Sequence, residues 1–380
     1  MLWENTIPAS SSTFCRRVLI PLTGAAGGRY FGRGYDERSS MTDVSVLGAG
    51  AFGTALALYC SNLGRRTRVW AYDKGLPERV AAEGENAAYL PGFALPEDLL
   101  FTNDMATALE NADLVLLAVP SSFMRSVTEQ AAPHLPPGAL ITSTAKGIEQ
   151  DSLALMSDVL ADTLPDHVRS ATYLSGPSFA KDIASELPAD VSLAAADIDT
   201  ARRVQEILHS PLLRVYASDD VVGVQLGGAL KNVIAVACGA AHGLGLGASS
   251  VASLMTRGLA ELARLGVALG ANPLTFLGLA GVGDLTLTCT GELSRNRQLG
   301  QQLASGKTAR EIVSSQKAVA EGYRTSAAVH RLASREGVDM PVSEAVYNVC
   351  HEGLSLAEEA TRLMTRERKD ELAGIFLTVK

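Results

Sequence analysis

The sequence predicts an α/β fold, with a doubly wound sheet in its N-terminal part and an all-α C-terminal part. From residue 42 to about residue 219, short apolar runs alternate with segments of helical spacing, a pattern typical of a doubly wound sheet. Beyond residue 219 the alternation stops, and long Ala-, Leu- and Gly-rich segments keep helical spacing. A boundary near Gln225 therefore predicts two domains, residues 41–225 and residues 226–380.

The individual strands and helices follow from this periodicity, taken in chain order. The predicted strands are 44–47, 68–72, 100–102, 114–119, 139–142, 172–174, 191–194 and 213–215. The predicted helices of the first part are 52–63, 76–83, 104–110, the segment from Ser121-Ser122 to Ala132, 153–164 and 200–208. Those of the second part are 221–240, 248–269, 294–303, 309–315, 323–336, 342–351 and 356–364.

Residues 1–40 do not share this organisation. They are rich in Ser, Gly and Arg, with little helical or strand period, and the first strand follows Met41 within a few residues. A targeting segment is one interpretation, but the stretch has poor amphipathicity and no long apolar core. We interpret residues 1–40 as a disordered extension, or as the result of a start codon placed too early, with Met41 as the true first residue.

Composition excludes several classes of function. The chain has 380 residues, 47% hydrophobic content and a formal net charge of −8, with no long basic run. Nucleic acids and anionic membranes are therefore poor candidate partners, whereas a small anion needs only one or two local cations. The five cysteines are scattered and show no metal-ligand spacing, and the six histidines are equally dispersed. We expect a reducing compartment, no disulfide framework and no metal site.

A glycine motif predicts the ligand site of the first domain. The strand ending at Leu47 runs into Gly48-Ala49-Gly50-Ala51-Phe52-Gly53 and then into a helix. In such Gly-x-Gly-x-x-Gly turns the first glycine allows the tight turn. The second lets a pyrophosphate approach the backbone, and the third lets the helix lie close to the sheet. The motif predicts a Rossmann-like dinucleotide-binding domain, with a purely structural turn as the alternative.

Asp73 supports a dinucleotide at this turn. It follows the second predicted strand, about 20 residues after the glycines, where an acid is expected to accept hydrogen bonds from the adenosine ribose. Such an acid also repels a 2′-phosphate, although Lys74 beside it offsets part of that repulsion. We therefore expect both NAD and NADP to be used.

The segment from Val221 to Ala241 is apolar enough to raise the possibility of a membrane span. It contains Gln225, Lys231 and Asn232, and a lysine at the centre of a spanning helix is costly. A core helix of the second domain is the better interpretation. A buried Lys231 would have a lowered pKa and would suit acid–base chemistry, while a snorkelling lysine that reaches solvent is the alternative.

Four further segments carry side chains suited to binding a substrate. Asp284, in Gly281-Val-Gly-Asp, could pair with a buried lysine or bind a hydroxyl, or could simply be a helix-cap or turn residue. Ser294-Arg-Asn-Arg suits a phosphate at a helix start, or is a solvated helix cap. Lys146 and the Gly176-Pro-Ser-Phe-Ala-Lys segment follow predicted strands and so point to the ligand-binding edge of the sheet. Cys289 is better interpreted as structural than as a nucleophile.

Together these motifs resemble NAD(P)-dependent sn-glycerol-3-phosphate dehydrogenases of the bacterial type. The matching stretches start at Gly48, Ala118, Lys146, Gly176, Gly228, Gly283, Ser294 and Glu321, in the family's order over roughly nine-tenths of the chain. The resemblance implies hydride transfer between NAD(P) and sn-glycerol 3-phosphate, giving dihydroxyacetone phosphate. It also implies a cytoplasmic role in phospholipid precursor supply, and a homodimer.

The same resemblance assigns roles to residues. It makes Lys231 the proton donor and acceptor. The implied substrate-site residues are Lys146, Gly176, Ser178, Lys231, Asp284, Ser294, Arg295 and Asn296. The dinucleotide would be bound by Gly48, Gly50, Ala51, Phe52, Gly53, Tyr72, Asp73, Lys146, Ala180, Arg295, Val319 and Glu321.

Two departures from the family pattern leave the choice between NADH and NADPH open. Ala51 replaces a commoner serine, and Tyr72 stands where a basic or histidine side chain often lies. Two rival functions also remain. One is a related 6-phosphogluconate or β-hydroxyacid dehydrogenase, in which a polar residue is expected at the position of Ala235. The other is a non-catalytic dinucleotide sensor, which would not need Lys231, Asp284 and Arg295 together.

Overall fold

The structure is a computed structural model that describes residues 42–315 and 320–368. Within these residues, eight strands form one sheet in the order β3-β2-β1-β4-β5-β6-β7-β8. The strands are β1 Asp43–Leu47, β2 Arg66–Trp70, β3 Leu100–Thr102, β4 Leu114–Leu117, β5 Leu140–Ser143, β6 Ala171–Ser175, β7 Ala189–Ala194 and β8 Leu213–Ser218. The helices between them are α1 Ala51–Asn62, α2 Leu76–Glu83, α3 Met105–Leu109, α4 Met124–Ala131, α5 Met156–Thr163, α6 Ala180–Ala184 and α7 Ile198–Leu208.

The helical part confirms the second half of the predicted fold class. Its helices are α8 Val221–Gly243, α9 Gly247–Ala268, α10 Asp284–Thr290, α11 Arg295–Ala304, α12 Ala309–Ser315, α13 Glu321–Glu336, α14 Pro341–Tyr347 and α15 Leu356–Met364. Two π-helical turns, Leu279–Gly283 and Asn348–Glu352, precede α10 and follow α14. The proposed domain boundary at Gln225 lies inside α8 and stays a prediction.

The central strands are buried on both faces, because helices cover both sides of the sheet. In β4, Leu114 and Leu116 pack into one apolar cluster, while Val115 and Leu117 pack into the cluster on the opposite face. A continuous apolar run is therefore what a central parallel strand requires. The neighbours of β4 are β1 and β5, and both run parallel to it.

Strand β7 runs antiparallel to β6, with Leu174 opposite Leu193, and this reversal was not predicted from the sequence. The connection between the two strands contains only α6, a helix of five residues. At about 1.5 Å per residue such a helix is too short to return the chain along a strand, so the next strand pairs in the opposite direction.

Some predicted helix ends were wrong. Ser121 and Ser122 do not cap a continuous helix, because a 3₁₀ turn over Ser121–Phe123 comes first and α4 starts at Met124. Ser122 instead accepts a hydrogen bond from Arg324 Nη1 on α13, at 2.6 Å. The loop after β4 is therefore tied directly to the helical part of the molecule.

Helix α8 is a core helix. Among the described residues it alone has the length and composition of a membrane span, and 83% of its most apolar 18-residue window is buried inside the protein. Its glycines allow close packing. A Cβ on Gly227 would lie 2.2 Å from the Ala280 carbonyl oxygen, and one on Gly228 would lie 2.6 Å from Ser175 Oγ. These glycines bring the Lys231 helix against β6 and the turn before α10.

Candidate functional site

The glycine turn has the shape that a pyrophosphate requires. Gly48 has φ +118°, and a Cβ there would lie 2.7 Å from the Ala118 carbonyl oxygen. A Cβ on Gly53 would lie 1.9 Å from the Gly48 carbonyl oxygen, so α1 could not approach the turn as closely. At Gly50, in contrast, no atom lies within 4 Å of an added Cβ. The space above Gly50 is therefore open to a ligand.

The start of α1 offers hydrogen-bond donors to that space. Gly50 is the N-cap residue, and no side chain caps the helix. The first intrahelical bond is from the Thr54 amide to the Gly50 carbonyl, at 2.9 Å. The amides of Ala51, Phe52 and Gly53 come before this first bond, so they have no partner within the helix. They lie at the positive end of the helix dipole. These residues fit the phosphates of a dinucleotide.

The adenosine end of such a ligand would reach the loop after β2. That strand ends at Trp70, so Asp73 lies three residues beyond it rather than at its end as the sequence predicted. Tyr72 is 85% exposed, and its ring meets the Trp70 ring edge-on, with centroids 6.4 Å apart. Asp73 is partly exposed and already holds an ion pair with Arg79.

Lys146, Lys231 and Asp284 form a cluster of charges, here called the two-lysine cluster, in which Lys231 and Asp284 are buried and Lys146 is partly buried. Lys146 Nζ donates to Asp284 Oδ2 at 2.6 Å and to the Gly176 carbonyl at 2.9 Å. Lys231 Nζ donates to Asp284 Oδ1 and, at 2.8 Å, to Thr288 Oγ1. Lys231 is therefore buried and paired, and the snorkelling alternative is wrong.

Burial sets the protonation chemistry of this cluster. Desolvation lowers the pKa of Lys231 from 10.5 to about 8, although the attraction of Asp284 opposes the shift. Burial raises the pKa of the Asp284 carboxyl, but the two lysine charges outweigh it and hold that pKa below its usual value. Near neutral pH, Asp284 is thus ionised, while Lys231 can donate or accept a proton.

Asp284 lies in the first turn of α10, not in an open loop. The sequence did not predict this seven-residue helix, which begins at Asp284 and places Thr288 one turn further along the same face. Thr288 Oγ1 lies 3.3 Å from Asp284 Oδ1 and accepts from Lys231. Sequence reasoning missed Thr288, which the spacing of four residues would have identified once a helix was assigned there.

Two asparagine side chains link four segments of the site. Asn232 Nδ2 donates to the Lys146 carbonyl at 3.0 Å, and its Oδ1 accepts from Asn296 Nδ2 at 2.8 Å. Asn296 Oδ1 in turn accepts from the Gly322 amide at 2.8 Å. The Asn296 amide is thus already engaged on both atoms, with one N–H left for a ligand. Asn232 was also missed as a site residue.

Arg295 and Glu321 extend the site beyond the buried cluster. Ser294 is the N-cap residue of α11 and accepts from the Arg297 amide at 3.2 Å, so the exposed Arg295 is the first residue of that helix. Burial raises the pKa of the Glu321 carboxyl above its usual value, and the charges of Arg295, Lys231 and Lys146 offset only part of that rise. Three cations therefore face two carboxylates, which leaves positive charge for an anionic ligand. Val319 lies outside the described residues.

The segment after β6 completes the wall of the site. Gly176 has φ +134°, and a Cβ there would lie 2.9 Å from Val191 Cα, so only glycine fits. Ser178 is buried and donates to the Gly176 carbonyl at 3.1 Å, while Ala180 starts α6. The structure thus joins Gly176 and Ser178 to the two-lysine cluster through the Gly176 carbonyl, which also binds Lys146.

Ala235, one turn after Lys231, is fully buried among apolar side chains. It packs with Ile234, Cys238, Leu285 and Cys289. A polar residue at this position would have no solvent access. In the described part of the chain, no group of three or more His, Cys, Asp or Glu side chains could hold a metal ion.

Comparison with known proteins places these features in one family. Residues 43–201 match the family model "NAD-dependent glycerol-3-phosphate dehydrogenase N-terminus", and residues 220–361 match the model for the C-terminus. The chain is 47% identical over 329 residues to glycerol-3-phosphate dehydrogenase (NAD(P)+) of Citrifermentans bemidjiense, an alignment that covers 86% of this chain and 98% of the relative.

Two further matches agree. The enzyme of the same name from Anaeromyxobacter sp. strain K is 48% identical over 330 residues, covering 87% of this chain and 99% of the relative. The crystal structure of glycerol-3-phosphate dehydrogenase from Coxiella burnetii superposes with a TM-score of 0.81 at 36% identity. That match covers 86% of this chain and 99% of the Coxiella chain.

Proposed function

The chain belongs to the NAD-dependent glycerol-3-phosphate dehydrogenase family, and we propose that it interconverts sn-glycerol 3-phosphate and dihydroxyacetone phosphate with NAD(P). The observation that carries the proposal is Lys231, a buried lysine with a lowered pKa, held by Asp284 and Thr288. It lies next to the carboxyl ends of the strands, where a doubly wound sheet binds its ligands.

Each group of the site has a proposed part in this reaction. The bound nicotinamide supplies or takes the hydride at C2 of the substrate. In reduction, the Lys231 ammonium donates a hydrogen bond to the ketone oxygen and then its proton. In oxidation, the neutral amine takes the proton from the hydroxyl. Asp284 orients Lys231 through their hydrogen bond. Lys146 balances the negative charge of the Asp284 carboxylate when Lys231 is neutral.

The remaining residues hold the two ligands. Arg295 and the start of α11 suit the substrate phosphate, because a guanidinium and free helix amides both favour an anion. We assign to the substrate site Lys146, Gly176, Ser178, Asp284, Ser294, Arg295 and Asn296. For the dinucleotide we assign the glycine turn over Gly48–Gly53, Tyr72, Asp73, Lys146, Ala180, Arg295, Val319 and Glu321.

Steady-state turnover tests this function. Dihydroxyacetone phosphate should drive oxidation of NADH or NADPH, and sn-glycerol 3-phosphate should accumulate in equal amount. Turnover of 6-phosphogluconate instead would favour the rival dehydrogenase, which the burial of Ala235 among apolar side chains argues against. Tight binding of NADH without turnover of either compound would favour the dinucleotide sensor.

We also propose a cytoplasmic homodimer that supplies glycerol phosphate for phospholipid synthesis, as the family resemblance implies. Exposed apolar side chains on the helical part, such as Leu274 at 63% and Leu277 at 66%, are compatible with association of two copies. Sedimentation equilibrium should give twice the chain mass of 39.8 kDa. A single species of chain mass at micromolar concentration would contradict the dimer.

Deleting residues 1–40 is expected to leave both the melting temperature and the turnover unchanged. The matched family region begins at residue 43, and β1 begins at Asp43. A deletion of residues 1–47 is the control, because it also removes β1, which pairs with both β2 and β4, and should abolish folding. A large loss of melting temperature or of turnover on removing residues 1–40 alone would contradict the prediction.

A further inference from the structure

A surface ion pair lies in the loop where the adenosine ribose is expected. Arg79 Nη2, on the first turns of α2, donates to Asp73 Oδ2 at 2.5 Å. The other carboxylate oxygen of Asp73 accepts from the Gly75 amide at 3.0 Å. Both side chains are about half exposed, at 47% for Arg79 and 45% for Asp73. Each carboxylate oxygen of Asp73 thus already accepts one hydrogen bond and keeps a second lone pair with which it can accept from a ribose hydroxyl.

The backbone under this pair is fixed relative to the glycine turn. Asn103 Nδ2 donates to the carbonyls of Ala71 and Asp73, at 2.5 and 2.9 Å. The Gly48 amide donates to the Trp70 carbonyl at 3.0 Å. The guanidinium also lies against Gly75, since a Cβ there would be 2.7 Å from Arg79 Nη1. The pair therefore has a defined position beside the phosphate-binding turn.

We propose that Arg79 determines how this enzyme accepts NADP, by leaving Asp73 and binding the 2′-phosphate of the adenosine ribose. With NAD, Asp73 accepts from the 2′-hydroxyl instead. This inference rests on the proposed use of NAD(P) and deepens it. It explains how a chain with tyrosine and aspartate at positions 72 and 73 accommodates both dinucleotides.

The energetics permit the exchange. An exposed arginine–carboxylate pair contributes little net stability, so opening it costs little. A guanidinium presents a fork of N–H donors that matches phosphate oxygens, and a 2′-phosphate carries more charge than the carboxylate it displaces. Lys74 is exposed in the same loop and could attract the phosphate as a point charge, but a rigid fork gives the more directional contact.

Calorimetric titration with two small probes isolates the 2′-phosphate. Adenosine 2′,5′-bisphosphate and 5′-AMP differ only in that group. In the full chain, Arg79→Ala should lower the affinity for adenosine 2′,5′-bisphosphate by about tenfold to a hundredfold, as expected for loss of a charged hydrogen bond. Binding of 5′-AMP should change by less than about threefold, and Lys74→Ala should have the smaller effect on the bisphosphate.

Three further variants sharpen the test. Asp73→Ala should strengthen bisphosphate binding and shift the kcat/KM ratio towards NADPH, and this gain should vanish in the Asp73→Ala, Arg79→Ala double variant. Arg202 forms a similar exposed pair with Asp199, at 2.8 Å on α7, so Arg202→Ala is the matched control and should leave both probes unaffected. All four positions are exposed, and a melting curve checks that each variant folds.

The proposal is overturned if Arg79→Ala changes the two probes equally, or changes neither, or if the wild type does not distinguish them. An unchanged NADPH to NADH ratio in Asp73→Ala would also contradict it. Because probe binding needs no turnover, failure of the proposed dehydrogenase activity would leave these titrations interpretable. Conversely, turnover with NADH alone would support that activity while contradicting the role of Arg79.

Discussion

Replacing Lys231 with methionine is expected to lower kcat for dihydroxyacetone phosphate by at least about 10²–10⁴-fold, with NADH affinity nearly unchanged. Methionine keeps the length of the side chain but removes the group that donates the proton. The variant should fold, because Asp284 keeps its ion pair with Lys146 at 2.6 Å and is not left as an uncompensated buried charge. The glycine turn is untouched, so the dinucleotide should still bind.

Arginine is the informative control at this position. Lys231→Arg keeps a positive charge, but a guanidinium does not release its proton near neutral pH, so it should not restore kcat. The rate of NADH oxidation measures the effect on kcat, and a fluorescence titration measures the affinity for NADH. Together they separate an effect on proton transfer from an effect on dinucleotide binding. A methionine variant that folds, binds NADH and turns over within about tenfold of wild type would remove Lys231 from the mechanism.

Replacing Arg295 with alanine is expected to lower kcat/KM for dihydroxyacetone phosphate, while kcat/KM for unphosphorylated dihydroxyacetone should barely change. Truncating one partner of a close charge pair costs about 2–5 kcal/mol. Arg295 is exposed before the ligand binds, so we expect the lower end of that range, a loss of about 30- to 150-fold. The comparison of the two ketones measures the contribution of the phosphate.

Arg297 provides the matched control, since it lies two residues further along the same helix. Arg297 is partly buried and is not among the residues assigned to the substrate site. Arg297→Ala should therefore lower kcat/KM for the two ketones equally, and by less than Arg295→Ala lowers it for dihydroxyacetone phosphate. Equal losses with both ketones in Arg295→Ala would indicate a structural role for Arg295 rather than a contact with the phosphate.

Local signals in the sequence were enough to predict the order of elements and much of the site. The glycine turn reflects a backbone requirement, and the apolar run of β4 reflects a packing requirement. Both act over a few residues, so a short stretch of sequence is enough to recognise them. The isolated Lys231 in an apolar helix was likewise informative, because only a partner such as Asp284 makes its burial tolerable. Pairing between these two residues was one of three interpretations open for Asp284.

Other features depend on contacts between distant segments and could not be predicted. Asn232 and Asn296 bond to each other across 64 positions of sequence, and no local pattern marks such a pair. The reversal of β7 follows from the shortness of α6, whose ends were not predicted. Helix α10 was missed because Gly281 and Gly283 before it favour a loop, whereas here they form a π-helical turn.

The most direct test of the central claim is the pH dependence of kcat/KM in both directions, measured between about pH 7 and 10. Over this range a phosphate ester, whose second pKa is about 6, stays doubly charged. Reduction needs the Lys231 ammonium, so its rate should fall as the pH rises through about 8. Oxidation of sn-glycerol 3-phosphate needs the neutral amine, so its rate should rise through the same pH.

The account predicts mirror-image profiles with one shared pKa, and both should become flat in the residual activity of Lys231→Met. Profiles that move in the same direction, or that persist in Lys231→Met, would contradict Lys231 as the proton donor and acceptor.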